Sequence, residues 1–514
     1  MKLFTYGLIL VSFLFTTNAC KNNLKKSNKP DTLIHIPTDA SMITAFNTTK
    51  LLQKADFKNV MKMAFYKDAV KELRNIQPLA AEIMEDPYSS GIDLLRNGYM
   101  YQSFAGDNAE KTFRGFTFSL ANKTAFMALL KKAGMTDIKT KDNFNYFGNG
   151  KAQVMAWNDE SIIIGMSTGS NNALAEAAKF FGTTKENSMA SNVKLKETFA
   201  QSFDIASWAY SDQLKDIAMS DPSMGMGLGM LGLQADDLNG NYMSNLMNFE
   251  KGKIASSGLF DVKDNLKKLV SPLFKEKIAT DFSKYIPKDN LNMLMTTGLN
   301  LGGLKNTPYG PQVLGMLSYQ LNEFGLSFDD IAEALSGDVM FAGYNAPDGM
   351  TSGVIMATSI GNAAKFDKLL NLATQMNMLA KDGDSYTVID NQLNAMLGGT
   401  YGPATMTIKD GIAFFTAKDS FKKGIKAGGF AKDKLIDAKT YNNLAGKIIG
   451  MQFIPEDIQS MGIEMSDFEN ITMDMAGNKM NFNVNMADKN SNSLSALFKM
   501  LNKIYLEQSS GSRM

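Results

Sequence analysis

Apolar and polar positions alternate along this chain in two rhythms, and the rhythms come round twice in the same order. In the first half, Ile34, Ile36, Met42, Ile43, Ala45 and Phe46 predict a strand, with Pro37 suiting its start. Leu51, Leu52, Ala55, Val60, Met61, Ala64, Val70 and Leu73 then recur at helical spacing, and Thr48 or Thr49 is placed to cap a helix from Lys50. From Asn97 the period drops to two. Tyr99–Phe104 and Gly115–Leu120 read as strands about a polar turn at Asp107-Asn108. Asn122–Gly134 predicts a helix with Phe126, Leu129, Leu130 and Ala133 on one face. Strands follow at Phe144–Phe147, Ala152–Trp157 and Ser161–Met166, and then a helix over Asn172–Phe181.

The second half repeats the order. A strand at Val339–Tyr344 leads through Ala346-Pro347-Asp348-Gly349 to another at Gly353–Thr358. The helix Asn362–Gln375 carries Phe366, Leu369, Leu370 and Ala373 where the first half has Phe126, Leu129, Leu130 and Ala133. Asp204–Tyr210 resembles Lys447–Ile454, and the hairpin of Tyr242–Phe249 with Ile254–Val262 resembles that of Ile471–Met475 with Met480–Met486. Each half opens on a ring-bearing residue, Ile, Pro, a polar residue and Asp: His35-Ile36-Pro37-Thr38-Asp39 and Tyr285-Ile286-Pro287-Lys288-Asp289. A repeat that recurs only after a whole domain's length implies duplicated domains rather than a solenoid. The expected fold class is α+β: two duplicated modules, at 33–270 and 280–505, each an antiparallel sheet packed against helices. Residues 506–514 read as a disordered tail.

Composition narrows the chemistry. The chain has 514 residues, 44% of them hydrophobic and 20% charged, and a net charge of +1. No basic excess points to nucleic acid. One His and one Cys exclude an internal disulfide and His/Cys metal sites. The 36 methionines fit an adaptable core as well as a binding surface.

The one cysteine sits where it is informative. Met1-Lys2 is followed by the largely apolar Leu3–Phe15, too short to span a bilayer with margin, and then Thr16-Thr17-Asn18-Ala19-Cys20. A charged start, a short apolar core and a small residue before the cut describe a secretory signal over residues 1–19. Ala19-Cys20 resembles a bacterial lipobox, with Thr17 where Leu is commonest. That resemblance makes Cys20 the first mature residue, carrying acyl groups such as palmitate on its sulfur and amine. The alternatives are a buried thiol or ordinary signal cleavage. Residues 20–32 are polar and aperiodic and read as a flexible tether. The lipobox resemblance implies a place on the outer membrane, and since surface-exported lipoproteins often carry acidic residues just after the Cys, the basic tether implies the periplasm-facing side over the cell surface.

Lipobox, tether, the Ile-Pro-x-Asp strand with its Lys-Leu-Leu-x-Lys-Ala helix at Lys50–Ala55, and the second Ile-Pro-x-Asp together resemble a family of Bacteroidota lipoproteins known only as a domain of unknown function. The resemblance implies a cell-envelope location and assigns no catalytic residue.

Candidate chemistry is sparse. His35 lies between two isoleucines with no Gly-x-Ser-x-Gly elbow to accompany it, so a structural imidazole is the better reading. The acid pairs Asp236-Asp237, Asp329-Asp330 and Glu456-Asp457 invite a glycosidase reading, but helix starts explain the last two better. Gly225-Met226-Gly227-Leu228-Gly229 lacks the Lys-Ser/Thr of a phosphate loop. The surrounding Met219–Leu233 stretch is apolar and glycine-rich. It reads as a packed loop, as a sticky contact surface through Met224, Met226, Leu228, Met230 and Leu231, or as a soft copper(I) site of Met224, Met226 and Met230. The reading adopted from sequence is a non-enzymatic, membrane-anchored scaffold or accessory subunit of an envelope protein complex, with no catalytic residues, no metal and no cofactor. The alternative is a binding protein for a lipid or other apolar ligand.

Overall fold

The computed structural model describes residues 29–105, 108–168, 172–212, 215, 226, 228–229, 231–345, 353–396, 403–455 and 465–511. Over these residues the protein is α+β, and the strand pairings within each unit are antiparallel. The chain divides into two compact units. Unit 1 takes the chain up to Met226, Leu238–Asp261 and the stretch from Asp488; unit 2 takes Gly227–Asp237 and Val262–Ala487.

Unit 1 holds β1 (Ala40–Phe46), β2 (Gly98–Ala105), β3 (Asn108–Ser119), β4 (Lys139–Lys141), β5 (Phe144–Phe147), β6 (Gln153–Trp157), β7 (Ser161–Ser167), β8 (Ile205–Tyr210), β9 (Tyr242–Glu250) and β10 (Lys253–Asp261). They pair in the order β4-β5-β6-β7-β3-β2-β1-β8-β9-β10. Unit 2 holds β11 (Leu291–Gly298), β12 (Leu335–Tyr344), β13 (Gly353–Ile360), β14 (Leu379–Asp382), β15 (Ser385–Val388), β16 (Thr405–Lys409), β17 (Ile412–Thr416), β18 (Ile449–Phe453), β19 (Phe468–Ala476) and β20 (Lys479–Met486). Their order is β14-β15-β16-β17-β13-β12-β11-β18-β19-β20. Adding ten to each strand of the first order produces the second.

The two Ile-Pro-x-Asp segments do the same structural work. Ile36 and Ile286 are fully buried. Their carbonyls accept from Met189 N at 2.8 Å and Ile436 N at 3.0 Å, respectively. Pro37 forms an isolated bridge to Ser188 and Pro287 one to Leu435. Each motif leads into a strand whose register shifts near its start, between Ala40 and Met42 in β1 and between Leu291 and Met293 in β11. A proline lacks the N–H for a central ladder, so it sits ahead of the strand rather than inside it.

Unit 1 covers both faces of its sheet. On one face α1 (Thr48–Ala55), α2 (Phe57–Val60), α3 (Ala64–Ile76), α4 (Pro78–Glu85) and α5 (Lys123–Lys132) bury Leu51, Phe57, Tyr66, Leu73, Met84 and Phe126 against Phe118 and Trp157. On the other, α6 (Ala173–Gly182) and α7 (Val193–Phe199) bury Phe180 and Leu195 against Tyr101, Phe113 and Trp208. In unit 2, α8 (Asp264–Val270), α9 (Gly310–Asn322), α10 (Phe328–Ala334), α11 (Ala363–Gln375), α12 (Asn391–Met396), α13 (Asp419–Lys426) and α14 (Ala438–Ala445) follow. Phe421, Ile425, Tyr441 and Leu444 from α13 and α14 pack on one face, and Ala334, Phe366 and Leu370 from α10 and α11 on the other. Helix α9 contributes no residue to either cluster.

Three expectations change. Residues 32–35 form a 3-10 turn rather than a strand, because the Asp31 carboxylate accepts from Leu33 N and closes the turn. The following helix is capped by Asn47, whose Oδ1 accepts from Lys50 N at 3.1 Å. The hydroxyls of Thr48 and Thr49 donate instead to Leu94 O, and the helical run breaks at Asp56, which adopts φ 53°. The chain from Ser493 is α15 (Ser493–Gly511), so residues 506–511, expected in a disordered tail, are helical. This helix belongs to unit 1 and not to the second module, whose expected end was residue 505. Leu494 and Phe498 enter the core beside Phe249, the Phe65 and Phe498 rings stack at 6.3 Å, and Tyr505 OH donates to Asp68 at 2.7 Å.

Candidate functional site

A cleft in unit 2 lies between α14 and the strands β18, β19 and β20. It encloses about 380 Å³ and is lined by Thr440, Asn443, Leu444, Lys447, Gln452, Asn470, Thr472, Asp474, Asn483 and Asn485. The lining follows from strand alternation: residues 470, 472 and 474 of β19 share a face with 481, 483 and 485 of β20. Cross-strand bonds join the two rows. Asn485 Nδ2 donates to Asn470 Oδ1 at 2.6 Å, Asn483 Nδ2 to Thr472 Oγ1 at 3.3 Å, and Asn481 Nδ2 to Asp474 Oδ1 at 3.0 Å. Lys447 Nζ lies 3.2 Å from Asp474 Oδ1, so the one cation and one anion of the lining neutralise each other. Helix α14 is pressed to the sheet at Gly450, where a Cβ would come within 2.4 Å of Leu444 O. Only a glycine permits that approach. An amide or hydroxyl both donates and accepts, so this wall hydrogen-bonds in either direction without carrying net charge.

The positions of unit 1 that take the matching places in the strand pairings differ in chemistry. Ile43 of β1 faces Trp208 of β8, as Leu294 of β11 faces Gln452 of β18. Across from Trp208 stands Ser244, and across from Gln452 stands Thr472. Trp208 is 1% exposed and stacks on Tyr210 and Tyr242 at 5.2 and 6.0 Å. Where unit 1 has an aromatic core, unit 2 has an amide-lined cleft.

A second surface of unit 2 stands out by exposure. Helix α9 has no charged residue in its thirteen positions and buries no apolar side chain fully. Its inner residues Val313, Leu314, Leu317 and Leu321 are half-buried, while Met316 and Tyr319 are 71% and 75% exposed. Phe324, just beyond its end, is exposed too, as are Leu231 and Val270. The segments that carry these last two residues meet the start of α9: a Cβ on Gly232 would lie 2.8 Å from Pro308 Cβ, and Tyr309 OH donates to Leu269 O at 3.0 Å.

A family model for a domain of unknown function, DUF4836, matches residues 34–307, just over half the chain. The chain belongs to the DUF4836 family. The match spans the strands of unit 1 and ends before β12, so the cleft of this DUF4836 protein lies outside it. No curated protein matches the sequence. A solved structure titled "Structure of crystal form I of TP0453" aligns over 48% of this chain and 88% of its own, at 7% identity and a TM-score of 0.26, too distant to carry an argument.

The residues singled out in the sequence are scattered through the DUF4836 protein. Cys20, Met224 and Met230 lie outside the described residues. Met226 and Leu231 are exposed, Leu228 is half-buried and Leu233 is buried. His35 is half-buried with its ring 5.2 Å from that of Phe180, and burial lowers its pKa against the raising effects of the Thr183 carbonyl and Glu160. Asp330 closes a capping box with Ser327, whose backbone N–H and hydroxyl hold its carboxyl below the ordinary value, and Asp329 pairs with Lys305. Asp237 accepts from Gln234 N and Asn265. Among the described residues no group of three or more His, Cys, Asp or Glu could hold a metal ion, and no helix is long and apolar enough to cross a membrane.

Sequence reasoning passed over Asp338, a buried carboxylate of unit 2. Burial pushes it up, but Lys275 Nζ at 2.8 Å, Thr280 Oγ1 at 2.8 Å and the N–H groups of Thr280 and Ala279 outweigh that and hold it below its ordinary value. Its work is to pin residues 275–280 to β12. The cleft was overlooked as well. Its signal was the Asn481-x-Asn483-x-Asn485 alternation, which by itself reads as an ordinary wet strand face.

Proposed function

We propose that this protein is a non-enzymatic, lipid-anchored accessory subunit or scaffold of a cell-envelope complex, built from two duplicated modules. The observation that carries the docking role is α9, an uncharged surface helix with Met316 and Tyr319 about three-quarters exposed. Interface cores are depleted of charge and enriched in aromatic residues and Met, and exposed apolar patches mark contact sites. The partner is another envelope protein with an apolar patch to receive this face. Duplication is supported by the matching strand orders and by the paired Ile-Pro-x-Asp bonds to Met189 and Ile436. Anchoring is supported by Ala19-Cys20 and the polar tether of a Bacteroidota-type lipoprotein, which favours the periplasmic face of the outer membrane. The alternative, a carrier of an apolar ligand, finds no support in the cleft, where Leu444 is the one apolar lining residue.

A photo-crosslinking residue placed at Met316 or Tyr319, in the full chain and in its own cells, tests the docking. The expected result is a discrete adduct with one envelope protein from both positions and none from Lys479. Absence of an adduct, or the same products from Lys479, would overturn it. The anchor is tested separately by palmitate incorporation, expected to vanish in Cys20→Ser.

A further inference from the structure

We infer that the cleft of unit 2 is a binding site for a neutral, hydroxyl-rich ligand, that is, a saccharide. Four observations converge on it. The site is a real concavity whose volume is within the range of small-ligand sites. It occupies a place where the matching strand pairing of unit 1 buries Trp208 in an aromatic core, so a polar lining here is a departure that the architecture does not require. The lining amides are bonded to one another only once each: Asn485 to Asn470, and Asn483 to Thr472. Each amide has two donors and two acceptor lone pairs, which leaves further bonds for whatever fills the cleft. Finally, Lys447 and Asp474 cancel, so neither a phosphate nor a cationic ligand finds an unmatched charge.

A peptide is the weaker candidate. Peptides recognised at sheets add a strand to an unpaired backbone edge. Here β19 is already paired to β18 on one side and to β20 on the other, so only side chains are presented. Sugar hydroxyls, each a donor and an acceptor, match such a surface. The lining has no aromatic platform for stacking, so recognition rests on hydrogen bonds and the affinity is modest. This inference is independent of the docking through α9.

The test uses the full chain and saturation-transfer NMR with maltotriose, cellotriose, xylotriose, mannotriose and triacetylchitotriose at millimolar concentration. At least one is expected to bind saturably. Asn483→Leu and Thr472→Val should each weaken it about tenfold, the loss of roughly one hydrogen bond. Lys381→Gln, an exposed position on β14 away from the lining, should leave it unchanged. Thermal melts verify that the variants fold, and the nearly isosteric Thr472→Val serves if Asn483→Leu does not. No saturable binding by any of the five sugars overturns the inference. So does binding that both lining variants leave intact, or saturable binding of an uncharged tripeptide in place of the sugars.

Discussion

Helices α3 and α9 make the sharpest comparison in the molecule. Both have thirteen residues, and both lie in the connection between the first two strands of their unit. Helix α3 buries Tyr66, Val70 and Leu73 and turns Lys67, Asp68, Lys71 and Glu72 outward. Helix α9 has neither half of that pattern: nothing apolar is fully buried and nothing charged faces out. The same contrast appears on the sheets, where Trp208 of unit 1 and Gln452 of unit 2 hold equivalent places. The two units thus share a strand order and differ at these two surfaces. Val313, Leu314, Leu317 and Leu321 give α9 a half-buried face, but packing within unit 2 does not account for the exposed Met316 and Tyr319.

Breaking the closed unit should have the largest effect. Leu494→Ala with Phe498→Ala removes two buried side chains and should cost unit 1 about 5 kcal/mol. Hydrogen exchange read by mass spectrometry should then rise in peptides from α1, α3 and β9 while β11–β18 stay protected. A uniform rise over both units would show that they do not differ in this way. Next comes the exchange of equivalents. Trp208→Gln should destabilise by about 3 kcal/mol through the cavity and the buried amide it leaves. Gln452→Ala should shift the urea midpoint by no more than about 0.5 kcal/mol equivalent. Similar costs for the two would erase the distinction between core and cleft. The smallest effect concerns His35, whose ordinary pKa of 6.5 is lowered by burial. The unfolded chain therefore takes up the proton first, so unit 1 keeps this contribution above pH 6.5 and loses it as the pH falls through the folded value. His35→Gln should flatten the stability profile just below pH 6.5. Tyr285, the equivalent ring in unit 2, donates to Asp410 at 2.7 Å, and burial pushes its hydroxyl up to about 12, so Tyr285→Phe should leave that acidic window unchanged.

Much of this was legible in the sequence. Period-two hairpins, the Phe126/Leu129/Leu130 and Phe366/Leu369/Leu370 helix faces and the two Ile-Pro-x-Asp segments all express local physics, and a reader without coordinates can find them. Asn47 was harder to choose over Thr48 because both can cap, and the decision was made by Leu94, far along the chain, which claims the threonine hydroxyls. Neither the cleft nor the bare helix could be read. Alternation shows that one face of β19 and β20 is polar, but not that α14 stands off from it. Likewise, Val313, Leu314, Leu317 and Leu321 follow a helical rhythm that says nothing about how deeply they are covered. Helix α15 had a readable apolar stripe in Leu494, Leu497, Phe498 and Leu501, but its destination in unit 1 depends on contacts with residues hundreds of positions earlier.

That destination sets a timetable for biosynthesis. The strands of unit 2 are complete once Met486 has emerged, whereas unit 1 waits for Phe498 and Tyr505, although its own first strand was made hundreds of residues before. During elongation the groove that receives Phe498 stays open beside Phe65 and Phe249, an apolar surface exposed until α15 arrives. A nascent chain arrested before Ser493 would therefore hold a finished second unit and an unfinished first one, the reverse of the order in which they were begun.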